Sequence, residues 1–491
     1  MSDVNRPTGS VRGKAIEGLF WSFGDNAVNQ VIHFGVGIVL ARLLTPSEFG
    51  LIGMLTVFIA ISQSFVDSGF QQALIRKRDA DNSDFSTVFF FNILLGLLFY
   101  LLLYISSGSI SRFYGEPQLS QILKVFGLLV VINALALIQR VRLTREINFK
   151  LQTKISLVCS LTSGLAGIWL ALSGYGVWSL VWRTLLNQLF QTVALWLFNR
   201  WRPIAVFSIS SLREMFSFGS KLLVAGLIDT IYRNIYLLII GRFFSAADLG
   251  FYTRADQFMR LSSTNITRTV QRVSYPVLAS INDNRERLRS GYRKIIISTM
   301  FISFSIMIVL ASVAKPLIVV LIGEKWLPSV ALLQMLCFAG MLYPLHSINL
   351  NVLNVSGRSD LFLRLEIIKK MMAVPVIVTG IYFGLHIMIG GMIVISFLAT
   401  VVNSYYSGTL IGYPLRQQLS DIFQSFLIAL LAGGVSFLLS RILDLNLLLM
   451  LIIQLKAAGV ILIVVSELSN QSGYGEVKGI VLKQARKLFM N

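Results

Sequence analysis

Apolar residues run along this chain in long blocks, without the strict alternation of a half-buried strand. The blocks lie at about 18–44, 47–75, 85–107, 118–140, 155–174, 176–198, 214–243, 247–281, 295–314, 328–356, 361–383, 387–412, 420–440 and 445–466. Each meets the roughly 17–25 residues that a helix needs to cross the hydrocarbon of a bilayer. Backbone groups in lipid must be bonded within their own segment, so the pattern predicts helices throughout. The expected fold is an all-α polytopic membrane protein of about fourteen transmembrane helices.

Composition supports this and narrows it. Of 491 residues, 55% are hydrophobic and 13% charged, where soluble domains carry about a quarter charged. The net charge of +20 raises the question of nucleic acid, but the placement of the charges answers it. With both ends cytoplasmic, the inner connections hold Arg76, Lys77 and Arg78; Arg140, Arg142, Arg145, Lys150 and Lys154; Arg200, Arg202 and Arg213; and Arg285 to Lys294. The outer connections hold only Arg42, Arg112, Arg242, Lys315, Lys325 and Arg441. That is the positive-inside asymmetry. The stretch NDNRERLRSGYRK at 282–294 is accordingly a cytoplasmic anchor, and the uncleaved tail MSDVNRPTGSVRGK a retained cytoplasmic end. Cys159 and Cys337 fall within spans as packing residues, and His33, His346 and His386 have no metal-ligand spacing. Without a phosphate loop or a Ser/His/Asp set, the chain does not read as an enzyme, and no cofactor is expected.

One corner is written twice. ARLLTPSEFG at 41–50 returns as GRFFSAADLG at 241–250, and SFG at 22–24 as SFG at 217–219. Thr45-Pro46-Ser47-Glu48 has the hydroxyl cap, first-turn proline and acid of a helix start, and Ser245 to Asp248 repeats the hydroxyl and the acid. Gly50 and Gly250, one turn in, suit close helix approach. Spans one to six and seven to twelve thus form two six-helix lobes related by a parallel repeat, as in many transporters. The expected organisation is a cytoplasmic tail 1–17, an N-lobe 18–198, a linker 199–213, a C-lobe 214–412, a terminal helix pair 413–466 and a cytoplasmic tail 467–491, whose end is spaced to form a short helix on the membrane surface.

Several spans carry charge. The first holds Asp25, Asn26, Asn29, Gln30 and His33; at the 200-residue offset Asn29 meets Asp229 and His33 meets Arg233, with Lys221, Tyr232 and Tyr236 near the same face. In the eighth span, taking Arg254 as zero, Asn265, Arg268 and Arg272 fall within about 40° of it on a helical wheel, and Arg260 lies further round beside Asp256. An arginine at mid-membrane facing lipid costs about 2.5–3.5 kcal/mol. Arg183, Lys369 and Lys370 are further intramembrane cations. Adjacent-turn pairs, Asp229 with Arg233, Asp256 with Arg260 and Glu366 with Lys370, account for part of the set. The surplus requires a cationic cavity and an anionic ligand, and the guanidinium fork suits phosphate.

The segments RLLTPSEFG, GEKWLPSVALLQMLCFAG at 323–340 and YPLHSINLNVLNVSGRSDLFLRLEIIKK at 343–370 carry a family resemblance. Over nearly its whole length the chain resembles the polysaccharide-transporter branch of the multidrug/oligosaccharidyl-lipid/polysaccharide exporter superfamily. The last two segments point to its subgroup near the colanic-acid and O-antigen flippases. The resemblance implies two six-helix lobes plus a terminal pair around a cationic cavity. It also implies alternating access that flips undecaprenyl-diphosphate-linked oligosaccharide across the bacterial inner membrane for O-antigen, capsule or exopolysaccharide assembly.

On that reading Arg254, Arg268 and Arg272, with Lys221 and Arg233, hold the diphosphate. Asn265, Tyr232 and Tyr236 meet the sugars, and Arg260, Arg183, Lys369 and Lys370 are secondary. Asp25, Asp67, Asp229 and His33 are candidates for coupling to Na⁺ or H⁺, alongside the membrane potential. A polymerase and a chain-length-control protein of the same pathway are expected partners. The competing readings are a multidrug cation antiporter of the same fold, a lipid II flippase and, from another class, a membrane-bound polysaccharide polymerase.

Overall fold

A computed structural model describes residues 28–67, 69–77, 79–280 and 284–489. Among them every regular element is a helix. The N-terminal tail, Ser22 to Gly24, Asp25 and Asn26 lie outside the described residues. The chain divides into two compact units, one ending at Gly250 and the other beginning at Phe251.

The first unit contains α1 (Val28–Leu43), α2 (Pro46–Asp67), α3 (Phe70–Arg76), α4 (Asn82–Tyr114), α5 (Gln118–Phe126), α6 (Leu128–Arg145), α7 (Phe149–Leu172), α8 (Val177–Phe198), α9 (Ile209–Phe243) and the first turn of α10 (Ala246–Ser280). Gly69 separates α2 from α3 with φ of 69°, and a Cβ built there would stand 2.8 Å from the Gly219 carbonyl oxygen of α9. Both the left-handed turn and the close approach require glycine.

The core of this unit gathers Phe70, Leu74, Phe85, Phe89, Leu137, Ile138, Val141 and Trp201. Burying a side chain of phenylalanine size stabilises by about 1.5–3 kcal/mol. Trp201 belongs to the stretch between α8 and α9, which is stitched down along its length. Its indole Nε1 donates to Asn82 Oδ1 at 2.6 Å, Ile204 N donates to Ser86 Oγ at 3.0 Å and Ser208 N to Thr87 Oγ1 at 3.0 Å. The stretch between the repeats is therefore a packed strap on α4.

In the second unit the remainder of α10 is followed by α11 (Arg285–Ser312), α12 (Ala314–Ile322), α13 (Pro328–Gly340), α14 (Tyr343–Val355), α15 (Ser359–Phe383), α16 (Leu385–Ile411), α17 (Leu415–Ile442), α18 (Leu447–Leu468) and α19 (Ser472–Phe489). α17 packs along α11, and α13, α14 and α15 pack on α16. The tail expected to lie on the membrane surface is the helix α19, and its start is docked on protein. A Cβ at Gly473 would stand 2.7 Å from Ile297 O, and Lys294 pairs with Glu476 at 3.0 Å.

Among the described residues ten helical segments are long and apolar enough to cross a membrane. α8, α10 and α15 stand where spans were expected but miss that test, because they carry the intramembrane charges and amides. The outward faces are greasy: Leu94, Leu97, Leu98, Leu101 and Ile105 of α4 are all exposed. A soluble protein would hide such a stripe; a multi-pass membrane protein turns it to lipid.

Candidate functional site

The repeated corner forms the same structure twice. Thr45 N donates to Glu48 Oε2 at 2.6 Å while Glu48 N donates back to Thr45 Oγ1 at 3.4 Å. Ser245 N donates to Asp248 Oδ2 at 3.2 Å and Asp248 N to Ser245 Oγ at 3.1 Å. These are reciprocal capping boxes, each cap contributing about 1 kcal/mol. The two corners also cross. A Cβ at Gly50 would fall 1.7 Å from the Ala246 carbonyl oxygen, and one at Gly250 would fall 1.9 Å from that of Pro46. Position 46 and position 246 are repeat equivalents, as are 50 and 250, so the contact is reciprocal.

From this crossing α9 runs back along α2. A Cβ at Gly241 would be 2.9 Å from Met54 Cγ, and Ser64 Oγ and Thr230 Oγ1 are 2.9 Å apart. At the far end Arg76 lies 4.5 Å over the Phe218 ring, and Lys77 bridges Asp84 at 3.0 Å and Glu214 at 3.1 Å. Burial works against the Lys77 charge, yet hydrogen bonds to the two carboxylates outweigh it and hold the amine above its ordinary range.

The expected site residues distribute as follows. On α9, Arg233 pairs with Asp229 at 2.7 Å, with both side chains well exposed. Lys221 is exposed, and Tyr232 and Tyr236 are half-buried. On α10, Arg260 pairs with Asp256 at 2.6 Å, Arg254 Nη1 donates to Gln257 Oε1 at 2.5 Å, and Asn265 turns back to donate to Leu261 O at 2.7 Å. Arg268 is exposed. The side chain of Arg272 lies outside the described residues. Glu366 pairs with Lys369, a partner not assigned to it from sequence. Residues three and four apart are both neighbours on a helix, so spacing alone does not choose between them.

His33 and Arg183, assigned separately from sequence, come together. Arg183 Nη2 lies 3.2 Å from His33 Nδ1, and His33 Nε2 lies 3.3 Å from Ser160 Oγ. A second cluster went unread. Arg140 Nη1 and Gln188 Nε2 both donate to Asn133 Oδ1, at 3.2 and 3.3 Å, and the charge of Asp67 acts on Arg140. Its signal was present as a four-residue polar spacing in α8, hidden because Arg140 was counted with a cytoplasmic connection. In the second unit His346 is likewise enclosed, with Nε2 3.3 Å from Ser396 Oγ and Nδ1 3.4 Å from Asn403 Nδ2. Cys159 and Cys337 are buried thiols. Among the described residues no cluster of three His, Cys, Asp or Glu side chains could hold a metal.

A helical membrane protein with a duplicated corner and arginine-bearing spans is the architecture of a transporter. The chain belongs to the polysaccharide biosynthesis protein family, whose pattern matches residues 39–331. It is similar to the teichuronic acid biosynthesis protein TuaB of Bacillus subtilis (strain 168), 28% identical over 438 residues, covering 87% of this chain and 89% of the relative. It is also similar to the lipopolysaccharide biosynthesis protein WzxC of Escherichia coli (strain K12), 25% identical and covering 88% and 89%. Among solved structures, the lipid II flippase MurJ in an inward closed conformation shares the fold with a TM-score of 0.75 at 13% identity, over 92% of this chain and 98% of that one. An inward-facing multidrug resistance transporter of the MATE family gives 0.61 at 14% identity, over 79% and 96%.

Proposed function

We propose that this protein flips undecaprenyl-diphosphate-linked oligosaccharide across the bacterial cytoplasmic membrane for surface polysaccharide assembly, by alternating access, with both termini cytoplasmic. The observation that carries the reading is α10. In an otherwise apolar chain this helix bears four arginines, and its single carboxylate beyond the first turn, Asp256, is taken by Arg260. Arg254 and Arg268 lie within about 40° of each other on the helical wheel and give α10 a cationic face, which we assign to a diphosphate. Such a face repels the organic cations of a multidrug antiporter. The names of the relatives, in teichuronic acid and lipopolysaccharide biosynthesis, fit this cargo.

Asp67, which feels the charge of Arg140, His33, within hydrogen-bond reach of Arg183, and Asp229, paired with Arg233, are the coupling candidates among the described residues. Outward movement of an anionic headgroup also gains roughly 2.3 kcal/mol per charge per 100 mV from an inside-negative potential. The test is the lipid extract of a deletion strain, read by mass spectrometry. Accumulated polyprenyl-diphosphate oligosaccharide supports the reading. Accumulated lipid II identifies the other flippase, and an unchanged extract with lost cation resistance identifies a multidrug exporter.

A further inference from the structure

Three polar side chains on α8 have no role in the diphosphate site. Arg183, Asn187 and Gln191 stand at four-residue spacing on one face of the helix, a ladder about 12 Å long. All three are half-buried. Gln191 Nε2 donates to Asn187 Oδ1 at 3.2 Å, and among the described residues the hydrogen bond shown for the Arg183 guanidinium, a group with five donors, is to the His33 ring at 3.2 Å. The neighbouring helix makes room for the guanidinium stem: a Cβ at Gly167 of α7 would stand 2.8 Å from Arg183 Cβ.

The adjacent line of the same helix does something different. Gln188 bonds Asn133 at 3.3 Å, and Thr192 Oγ1 donates to Ile132 O at 3.3 Å, which seats α8 on α6. The repeat separates the two lines. Counting from the glycines that precede α8 and α16, Gly176 and Gly384, the seating pair returns as Ser396 and Thr400. Ser396 again bonds a neighbouring helix, donating to Ala339 O at 2.7 Å. The ladder returns as Gly391, Ile395 and Ala399. A helix of this fold therefore packs without the ladder, and its polarity in the first unit calls for a ligand.

The chemistry of the ladder selects that ligand. Amide oxygens would repel a diphosphate, whereas alternating amide donors and acceptors match sugar hydroxyls, and a guanidinium matches a carboxylate. We infer that Arg183, Asn187 and Gln191 bind the glycan of the lipid-linked oligosaccharide, Arg183 taking a carboxylate on the sugars. This rests on the flippase reading.

Native mass spectrometry of the purified protein tests it with two probes, bare undecaprenyl diphosphate and the lipid-linked oligosaccharide extracted from a deletion strain. The wild type is expected to prefer the sugar-bearing lipid. Asn187→Leu with Gln191→Leu should bind the bare lipid as before and lose about tenfold of that preference, and Arg183→Gln should no longer distinguish the native glycan from its carboxyl-reduced form. If the leucine pair does not fold, Asn187→Ala with Gln191→Ala reads the same difference. A preference unchanged in these variants overturns the inference and leaves the flippase standing; a wild type that binds neither lipid overturns the flippase reading itself.

Discussion

Gly50 and Ala246 touch backbone to backbone, with room for no side chain at position 50: a Cβ there would lie 1.7 Å from the Ala246 carbonyl oxygen. The reciprocal contact of Gly250 with Pro46, at 1.9 Å, makes the crossing a two-sided clasp between the first turns of α2 and α10. Gly50→Val or Gly250→Val forces these backbones apart, at a cost of about 1–3 kcal/mol for an overpacked site. The melting temperature of the purified protein should fall with either change. The double variant should cost less than the sum, because the first substitution already opens the crossing.

At the other end of the α2–α9 seam, Lys77 is shared by unequal partners. Asp84 is 3% exposed and Glu214 is 65% exposed. Removing the lysine leaves a buried carboxylate with a lost partner, so Lys77→Met should destabilise by about 1–3 kcal/mol. Glu214→Ala should cost under about 1 kcal/mol, as exposed pairs do. The Lys77 amine titrates above its unfolded value, so its contribution is fully present below about pH 10.4 and is lost as pH rises through the higher folded value. Denaturation of wild type and Lys77→Met should therefore differ by a constant amount through neutral pH and converge only in strong base.

On α10 the arginines should divide by partner. If the proposed diphosphate site holds, Arg268→Ala and Arg254→Ala should each reduce export by about 10- to 100-fold, the loss of one charge-assisted contact, with membrane insertion intact. Arg260→Ala instead leaves the largely buried Asp256 carboxylate without its partner. Its first symptom should be lower stability, read as a reduced yield of folded protein. Equal export from wild type and Arg268→Ala would remove that residue from the site.

The orientation has its own check. With the cysteines Cys159 and Cys337 buried, single cysteines can be read by a membrane-impermeant maleimide on whole cells. With both termini cytoplasmic, as proposed, Ser245→Cys should label; Arg287→Cys, at the start of α11, should label only after permeabilisation. The reverse pattern would invert the topology.

Much of this protein was legible from periodicity because a bilayer leaves a backbone few options. Long apolar blocks predicted helices, and the two corners predicted both capping boxes and that each glycine would sit at a close helix approach, though not its partner, since hydroxyl, acid and glycine act within one turn of where they are written. The adjacent-turn pairs Asp229–Arg233 and Asp256–Arg260 were legible for the same reason. The pair of Glu366 with Lys369 was not read, because residues three and four apart are both neighbours on a helix and spacing does not choose between them.

What lay beyond the sequence was every relationship between helices far apart in the chain. That Trp201 straps the inter-repeat stretch to Asn82, that His33 meets Arg183 and that α9 lies along α2 depend on how apolar faces pack, and many pairings of such faces satisfy the same pattern. The chain by itself determined that it would enter a membrane as helices, how their ends would be capped and where charge had to be sheltered. Only the tertiary structure decided which helix shelters which charge, because packing selects one arrangement among many of similar hydrophobicity.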